Sequence, residues 1–389
     1  MNKTTNSGQN MGLQFILKAG VASIVLSVLS AGAMAQPARP GAIQPAAHAD
    51  QEPINLGDVP NPYRTQRNFG TLPDGRSWGS VSAVNIDIDG INVWAGDRCG
   101  TNSCATSDVD PIVKLDPDGN VLTSFGAGQI IWPHGMDVDT EGNVWVVDAR
   151  SANARELEAN PSAAGKGHTV LKFSPEGELL MTLGTPGEVG DPPTHFDAPN
   201  DVFVAPNGTI YVGDTHGAQF QNEAGPTAKS RISMFQADGT FIKTFGEFGF
   251  EDGQFRSPHS ITMDSQGRLF VADRGNSRIQ IFTQDGEHLD TWYQFSRISG
   301  IYIDRNTDML YAIDSESDEN YNPGWSKGLR VGNARTGEVL YFIPAHETER
   351  GSGMGGIGSM GEGVTVDRNG VIYAGEVGPV QGMTKFIPR

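Results

Sequence analysis

The chain has 389 residues and a formal charge of −18, with 50 glycines, 23 prolines and two cysteines. That length suffices for one large domain with a substantial core. The acidic balance repels phosphate backbones and so argues against nucleic acid as a partner, while leaving small or cationic ligands open.

The N-terminus reads as an export signal. Lys3 and Lys18 supply positive charge, Ala19 to Leu29 form a short apolar run, and Ala33-Met34-Ala35 gives a small-x-small pattern before Gln36. The run is too short to span a bilayer comfortably. The expected organisation is a signal peptide over residues 1–35, a flexible leader over 36–61, and one domain over 62–389. Cleavage delivers a periplasmic or secreted protein with no stable membrane insertion, expected to be monomeric. In that compartment Cys99 and Cys104 are expected to pair as a disulfide.

From residue 84 onward a unit recurs. An alternating apolar strand meets an Asp/Asn-Gly turn, and the next strand ends near an aspartate. Met136 to Asp148, Val202 to Asp214 and Ile261 to Asp273 show it best. Related pairs span Val84 to Asp97, Gly300 to Asp314 and Gly363 to Glu376, making six units. The second half of each unit is a further hairpin, as in Ile112 to Leu122, Val170 to Leu180, Ile232 to Ile242 and Ile279 to Leu289. Four strands per unit and six units predict an all-β, six-bladed β-propeller. The last unit ends after its third strand, Met383 to Pro388. An N-terminal strand around Arg67 to Trp78 is expected to supply the fourth and close the ring.

The innermost strand of each blade lines the axis, so equivalent positions converge there. His134 in Trp132-Pro133-His134-Gly135 and His259 in Ser257-Pro258-His259-Ser260 are equivalent, and Glu362 takes the same place in the last unit. These are alternate blades. Two imidazoles and a carboxylate are a common ligand set for a divalent transition metal, with zinc the first choice. Glu362 can alternatively move a proton beside a two-histidine ion. At the next ring outward, Arg98 and Arg274 are candidates to grip a carboxylate or a developing oxyanion. His216 is a candidate base or extra ligand. Asn200 takes the His134 position in the third blade and is expected to bond substrate or metal-bound water. Met360 is expected to offer an apolar contact. The recurring Asp148, Asp214, Asp273 and Asp314 are expected to hold turns, and Arg278 to lock its loop. Insertions at Ser151 to Gly167, Gly217 to Ser230 and Glu316 to Lys327 are expected to wall a pocket on the histidine face.

These residues resemble a known family. The blades look like NHL repeats, and the mouth residues resemble peptidyl-α-hydroxyglycine α-amidating lyase over roughly residues 80 to 386. Trp132-Pro-His134-Gly and Ser257-Pro-His259-Ser are similar to two of its zinc motifs, and Ala272-Asp-Arg274-Gly-Asn-Ser-Arg-Ile-Gln-Ile-Phe282 to the strand bearing an active-site arginine. Arg98 falls where the other arginine sits. The resemblance implies a six-bladed propeller that cleaves an α-hydroxyglycine to a peptide amide and glyoxylate. It implies zinc held by three histidines, a structural calcium, and a small-molecule or peptide C-terminal substrate. Two positions depart from the pattern. Glu362 stands where the third zinc histidine is expected, and His216 where the family has a tyrosine. A metal-dependent lyase is the first expectation. A metal-dependent hydrolase of an ester, lactone or amide on the same ring, and a non-enzymatic binding propeller, are the alternatives.

Overall fold

The computed structural model describes residues 56–214, 216, 229–318, 322–345, 360–378 and 380–389. The expected signal peptide, the leader up to residue 55 and residues 217–228 of the second insertion lie outside them. Among the described residues no helix is long and apolar enough to cross a membrane.

Six four-stranded antiparallel sheets form the domain. Blade one runs from Val81–Ile86 (β2) through Val93–Asp97 (β3) and Ile112–Leu115 (β4) to Val121–Phe125 (β5). The next four blades repeat this order and begin at Pro133–Val138 (β6), Pro199–Val204 (β10), Pro258–Met263 (β14) and Gly300–Asp304 (β18). The sixth consists of Gly363–Val366 (β22), Ile372–Glu376 (β23), Gly382–Pro388 (β24) and the N-terminal strand Tyr63–Phe69 (β1). The propeller is thus closed by pairing its two ends, with Tyr63 opposite Pro388 and Phe69 opposite Met383. The closing strand lies earlier than the expected Arg67 to Trp78. Pro73–Gly75 forms a 3-10 turn just after it, and Trp78 donates its indole N–H to Gly70 O at 2.8 Å. Pairing begins at the very end of the expected leader, where Pro60 O accepts from Phe342 N.

The middle strands alternate little because both faces are covered. Residues Val144–Asp148 are buried throughout, as are Ile210–Asp214 and Leu269–Asp273. Their side chains fill apolar seams between neighbouring blades. One seam joins Trp94, Ile112 and Phe125 of blade one to Met136, Val146 and Phe173 of blade two. Fully burying each such side chain is worth about 1.5–3 kcal/mol. The indoles also need a polar partner: Trp94 donates to Asp87 at 2.8 Å and Trp145 to Asp139 at 3.0 Å.

The recurring aspartates hold turns as expected. Asp148 accepts from the amides of Ile131 and Trp132, and Asp214 from those of Asp197 and Ala198. Asp273 accepts from Arg256 N, Asn276 and Arg278. These bonds fix the chain just before each inner strand, which is where the candidate site residues stand. Cys99 and Cys104 form a disulfide beside Arg98.

Candidate metal centre

In the first four blades the pairing of the inner strand with its neighbour shifts register at one place. The shifts fall between Val81 and Ala83, Pro133 and Met136, Pro199 and Asp201, and Pro258 and Ser260. Such bulges re-aim a side chain out of the ladder. The residues released are Ser82, His134, Asn200 and His259. Ser299 and Glu362 stand immediately before the first paired residues of the last two blades, Gly300 and Gly363. All six line a central cavity of about 360 Å³. Histidine, histidine and glutamate thus come from blades two, four and six, with smaller polar residues between them.

His216 joins them from the loop after β11 (Ile210–Asp214). One ligand atom each from His134, His216, His259 and Glu362 lies within 4.8 Å of the others. His134 and His259 are buried, and His216 is half-buried. The ring centroids of His134 are 4.5 Å from His216 and 4.8 Å from His259.

The backbone sets the tautomers. His134 Nδ1 donates to Asn200 O and His259 Nδ1 to Ser299 O, both at 2.6 Å. A carbonyl only accepts, so each Nδ1 carries the proton and each Nε2 turns a lone pair to the centre. Both Nε2 atoms are buried with no hydrogen-bond partner. His259 Nε2 is 3.3 Å from Glu362 Oε1. Two ligands each about 2.0–2.1 Å from a tetrahedral ion stand about 3.3–3.4 Å apart. The donor set and its spacing therefore fit a divalent transition metal.

The charge states fit too. Burial first, then the neighbouring imidazole of His259, holds His134 well below the ordinary histidine range. Burial and Arg274 lower His259. Burial, His134 and Arg274 hold His216 well down. Glu362 pays a burial penalty, yet its contact with His259 and the charge of Arg274 hold it well below the usual carboxylate range. The site presents neutral imidazoles and an ionised carboxylate, the forms that bind metal.

Arg274 lies on Glu362, with Nη1 at 2.8 Å from Oε1 and at 3.2 Å from Ser299 Oγ. Its Nη2 is 3.3 Å from His216 Nε2. Arg98 stands differently from the expected substrate clamp. It donates to Pro133 O, Asn102 and Ser82 at 2.7–3.0 Å and lies flat on Trp132, 3.7 Å from the ring centroid. It ties blade one to blade two beneath that indole. Asn200 is fully buried in the cavity wall, and its side-chain N and O both lack a hydrogen-bond partner.

Met360 does not reach the site. It packs with Ile313, Leu329 and Val364 in the seam between blades five and six. Gly361, at φ +100°, turns the chain between Met360 and Glu362, so two-residue alternation does not hold there. Gly363 is required by proximity, because a Cβ there would collide with Ser82 O. Arg278 locks its own loop through Asp273, Glu251 O and Gln254 O.

Three residues beside the site escape sequence reasoning. Trp132 sits edge-on to His216, 5.6 Å between centroids, and 5.2 Å from His134. Its place in the Trp-Pro-His motif was the available signal. Glu316 lies 3.6 Å from Arg274 Nη1, and Arg297 holds Glu316 at 2.8 Å. Neither occupies a repeating position.

An NHL-repeat profile matches residues 255–282. The human NHL repeat-containing protein 3 is 34% identical over 215 residues, which is 53% of this chain and 54% of that protein. Peptidyl-glycine alpha-amidating monooxygenase B of Xenopus laevis is 37% identical over 293 residues, 71% of this chain and 29% of that protein. The probable peptidyl-alpha-hydroxyglycine alpha-amidating lyase of Caenorhabditis elegans is 29% identical over 44% of this chain and 43% of its own. The chain thus spans about half the length of the first of these relatives and under a third of the second. Among solved structures, a putative gluconolactonase superposes with a TM-score of 0.52 at 13% identity, covering 88% of this chain and 97% of its own. A gluconolactonase from Xanthomonas campestris gives 0.51 at 16%, covering 91% and 99%. At those identities the likeness shows the propeller fold. The chain is a six-bladed propeller that carries an NHL repeat at residues 255–282, is similar in sequence to proteins of the amidating-lyase group, and gathers a His/His/His/Glu cluster at its centre.

Proposed function

We propose that the protein is an exported metal-dependent lyase that splits the C–N bond of an α-hydroxyglycine-like carbinolamide into an amide and glyoxylate. The observation that carries this is the convergence of His134, His259 and Glu362 from alternate blades, with His216 and Arg274 against them. His134, His259 and Glu362 would hold the ion, which when bound supplies Lewis acidity that lowers the pKa of the substrate hydroxyl. Zinc suits the nitrogen-rich set, since imidazole nitrogens and a carboxylate oxygen are its ordinary ligands.

His216 takes the hydroxyl proton. It is the most open of the three imidazoles, and its low pKa keeps it neutral and able to accept. As the hydroxyl oxygen becomes the aldehyde oxygen, the C–N electron pair leaves with the amide nitrogen, and His216 returns the proton there. Arg274 offers its guanidinium edge to the glycine carboxylate, and the face of Trp132 walls the site on the His134 side. Calcium stands only as what the sequence resemblance implies.

The test is incubation of the purified, metal-loaded protein with a synthetic peptide ending in α-hydroxyglycine, with chromatographic assay of amide and glyoxylate. Stoichiometric appearance of both supports the lyase. Turnover of esters or lactones without glyoxylate would instead select the hydrolase alternative. His216→Ala is expected to keep its metal and lose about 10²–10⁴-fold in kcat. Loss of metal in that variant would make His216 a ligand instead.

A further inference from the structure

Glu362 has two claimants. Its Oε1 lies 3.3 Å from His259 Nε2, on the ligand side, and 2.8 Å from Arg274 Nη1. A metal drawing on this carboxylate competes with a guanidinium that is itself only 1% exposed. A buried cation that loses its counter-charge costs several kcal/mol unless another anion is at hand. Glu316 is at hand. Its Oε1 lies 3.6 Å from the same Arg274 Nη1. Its other oxygen, Oε2, is fixed by Arg297 Nε at 3.0 Å and Nη2 at 2.8 Å. Arg297 also donates through Nη1 to Arg274 O at 2.9 Å, so it anchors the acid and the backbone of the arginine together.

We infer that Glu316, anchored by Arg297, is a positioning residue that retains Arg274 when Glu362 is given over to the metal. In this arrangement Glu316 makes metal binding cheaper without touching the ion. It also keeps Arg274 beside the substrate position. The inference rests on the metal-site reading of the preceding subsection and adds a residue that no repeat position marks. Glu316 stands two residues after Asp314, whose carboxylate holds the Glu316 and Ser317 amides at 3.1 and 2.8 Å. The loop is therefore built to present that side chain.

The experiment is a double-mutant cycle on zinc affinity, measured by competition with a chromophoric chelator and requiring no turnover. Glu316→Gln is expected to weaken zinc binding about tenfold. In an Arg274→Gln background the same change is expected to alter affinity less than about twofold, because the arginine it served is gone. Glu316→Asp keeps the charge and shortens the reach, and is expected to show most of the loss seen with Gln. An equal loss in both backgrounds, or wild-type affinity in Glu316→Asp, would reduce Glu316 to a distant charge and overturn the inference. So would wild-type affinity in Glu316→Gln. If the unmutated protein bound no zinc, the metal-site reading itself would fail, an outcome distinct from these. Thermal melts of the chelator-treated variants confirm that each is folded before titration.

Discussion

Replacing Glu362 by Gln removes one charge from a buried pair and leaves the shape almost unchanged. Arg274 Nη1, 2.8 Å away, then keeps Glu316 at 3.6 Å as a carboxylate partner. Breaking a buried ion pair from one side costs about 3–5 kcal/mol when the remaining charge has no other partner. Glu316 remains and the amide still offers an acceptor oxygen, so we expect about 1–3 kcal/mol here. Unfolding entropy runs at about 2.1 cal/mol/K per residue, or about 0.7 kcal/mol/K for this domain, so the melting temperature should fall by about 1–4 °C. Calorimetry on chelator-treated protein measures this directly. The same substitution removes the one anionic ligand, and zinc affinity should drop by more than about 100-fold, beyond what loss of an outer-shell partner produces. A variant that melts at or above the wild-type temperature and binds zinc with wild-type affinity would refute the placement of Glu362 between metal and arginine.

Two further predictions concern the channel. Gly363→Ala puts a methyl against Ser82 O at the junction of blades six and one. It should cost at least about 1–3 kcal/mol in urea unfolding, and unchanged stability would contradict the close approach. Asp201 lies in the same channel and accepts from Ile261 N at 2.7 Å, and burial pushes its carboxyl up to about 8. A folded-state pKa raised above the unfolded value contributes stability that is fully present below the unfolded pKa and is lost progressively as pH rises to about 8, with no further change above it. Asp201→Asn lacks that loss, so its melting temperature should gain on wild type from pH 5 to about pH 8 and the difference should then level off. A difference that does not change with pH would refute the raised pKa.

Much of the fold could be read from the chain because each hairpin carries its own turn signal, and the units recur. The register could be read as well, since the aspartates ending the second strands mark equivalent positions. That equivalence is what aligned His134, His259 and Glu362 before any geometry was known. What failed was alternation at the edges of strands. Met360 stands two positions before Glu362, which in an extended strand would put both on one face, but Gly361 at φ +100° breaks the extended geometry and sends Met360 into the core. The closing strand was set too late for a related reason. Tyr63 and Phe69 are the buried ends of a strand whose middle is mostly exposed, which leaves little apolar period to detect. Glu316 was legible only as the start of an insertion on the histidine face, and neither its pairing with Arg274 nor Arg297 could be read, because both residues lie outside the repeat. Arg98 was legible as a position, while its bonds to the two blades could not be read from the sequence. A buried guanidinium can serve the protein before it serves a substrate, and here each of its three nitrogens donates once within the protein, to Pro133, Asn102 and Ser82.

The central claim is that alternate blades build one metal site. Elemental mass spectrometry on protein purified without added metal or chelator tests it most directly, with His134→Ala/His259→Ala alongside. The account predicts about one equivalent of a divalent transition metal in the wild type and its loss in the double variant, with both proteins folded. No metal in the wild type even after reconstitution, or equal metal in both, would contradict it.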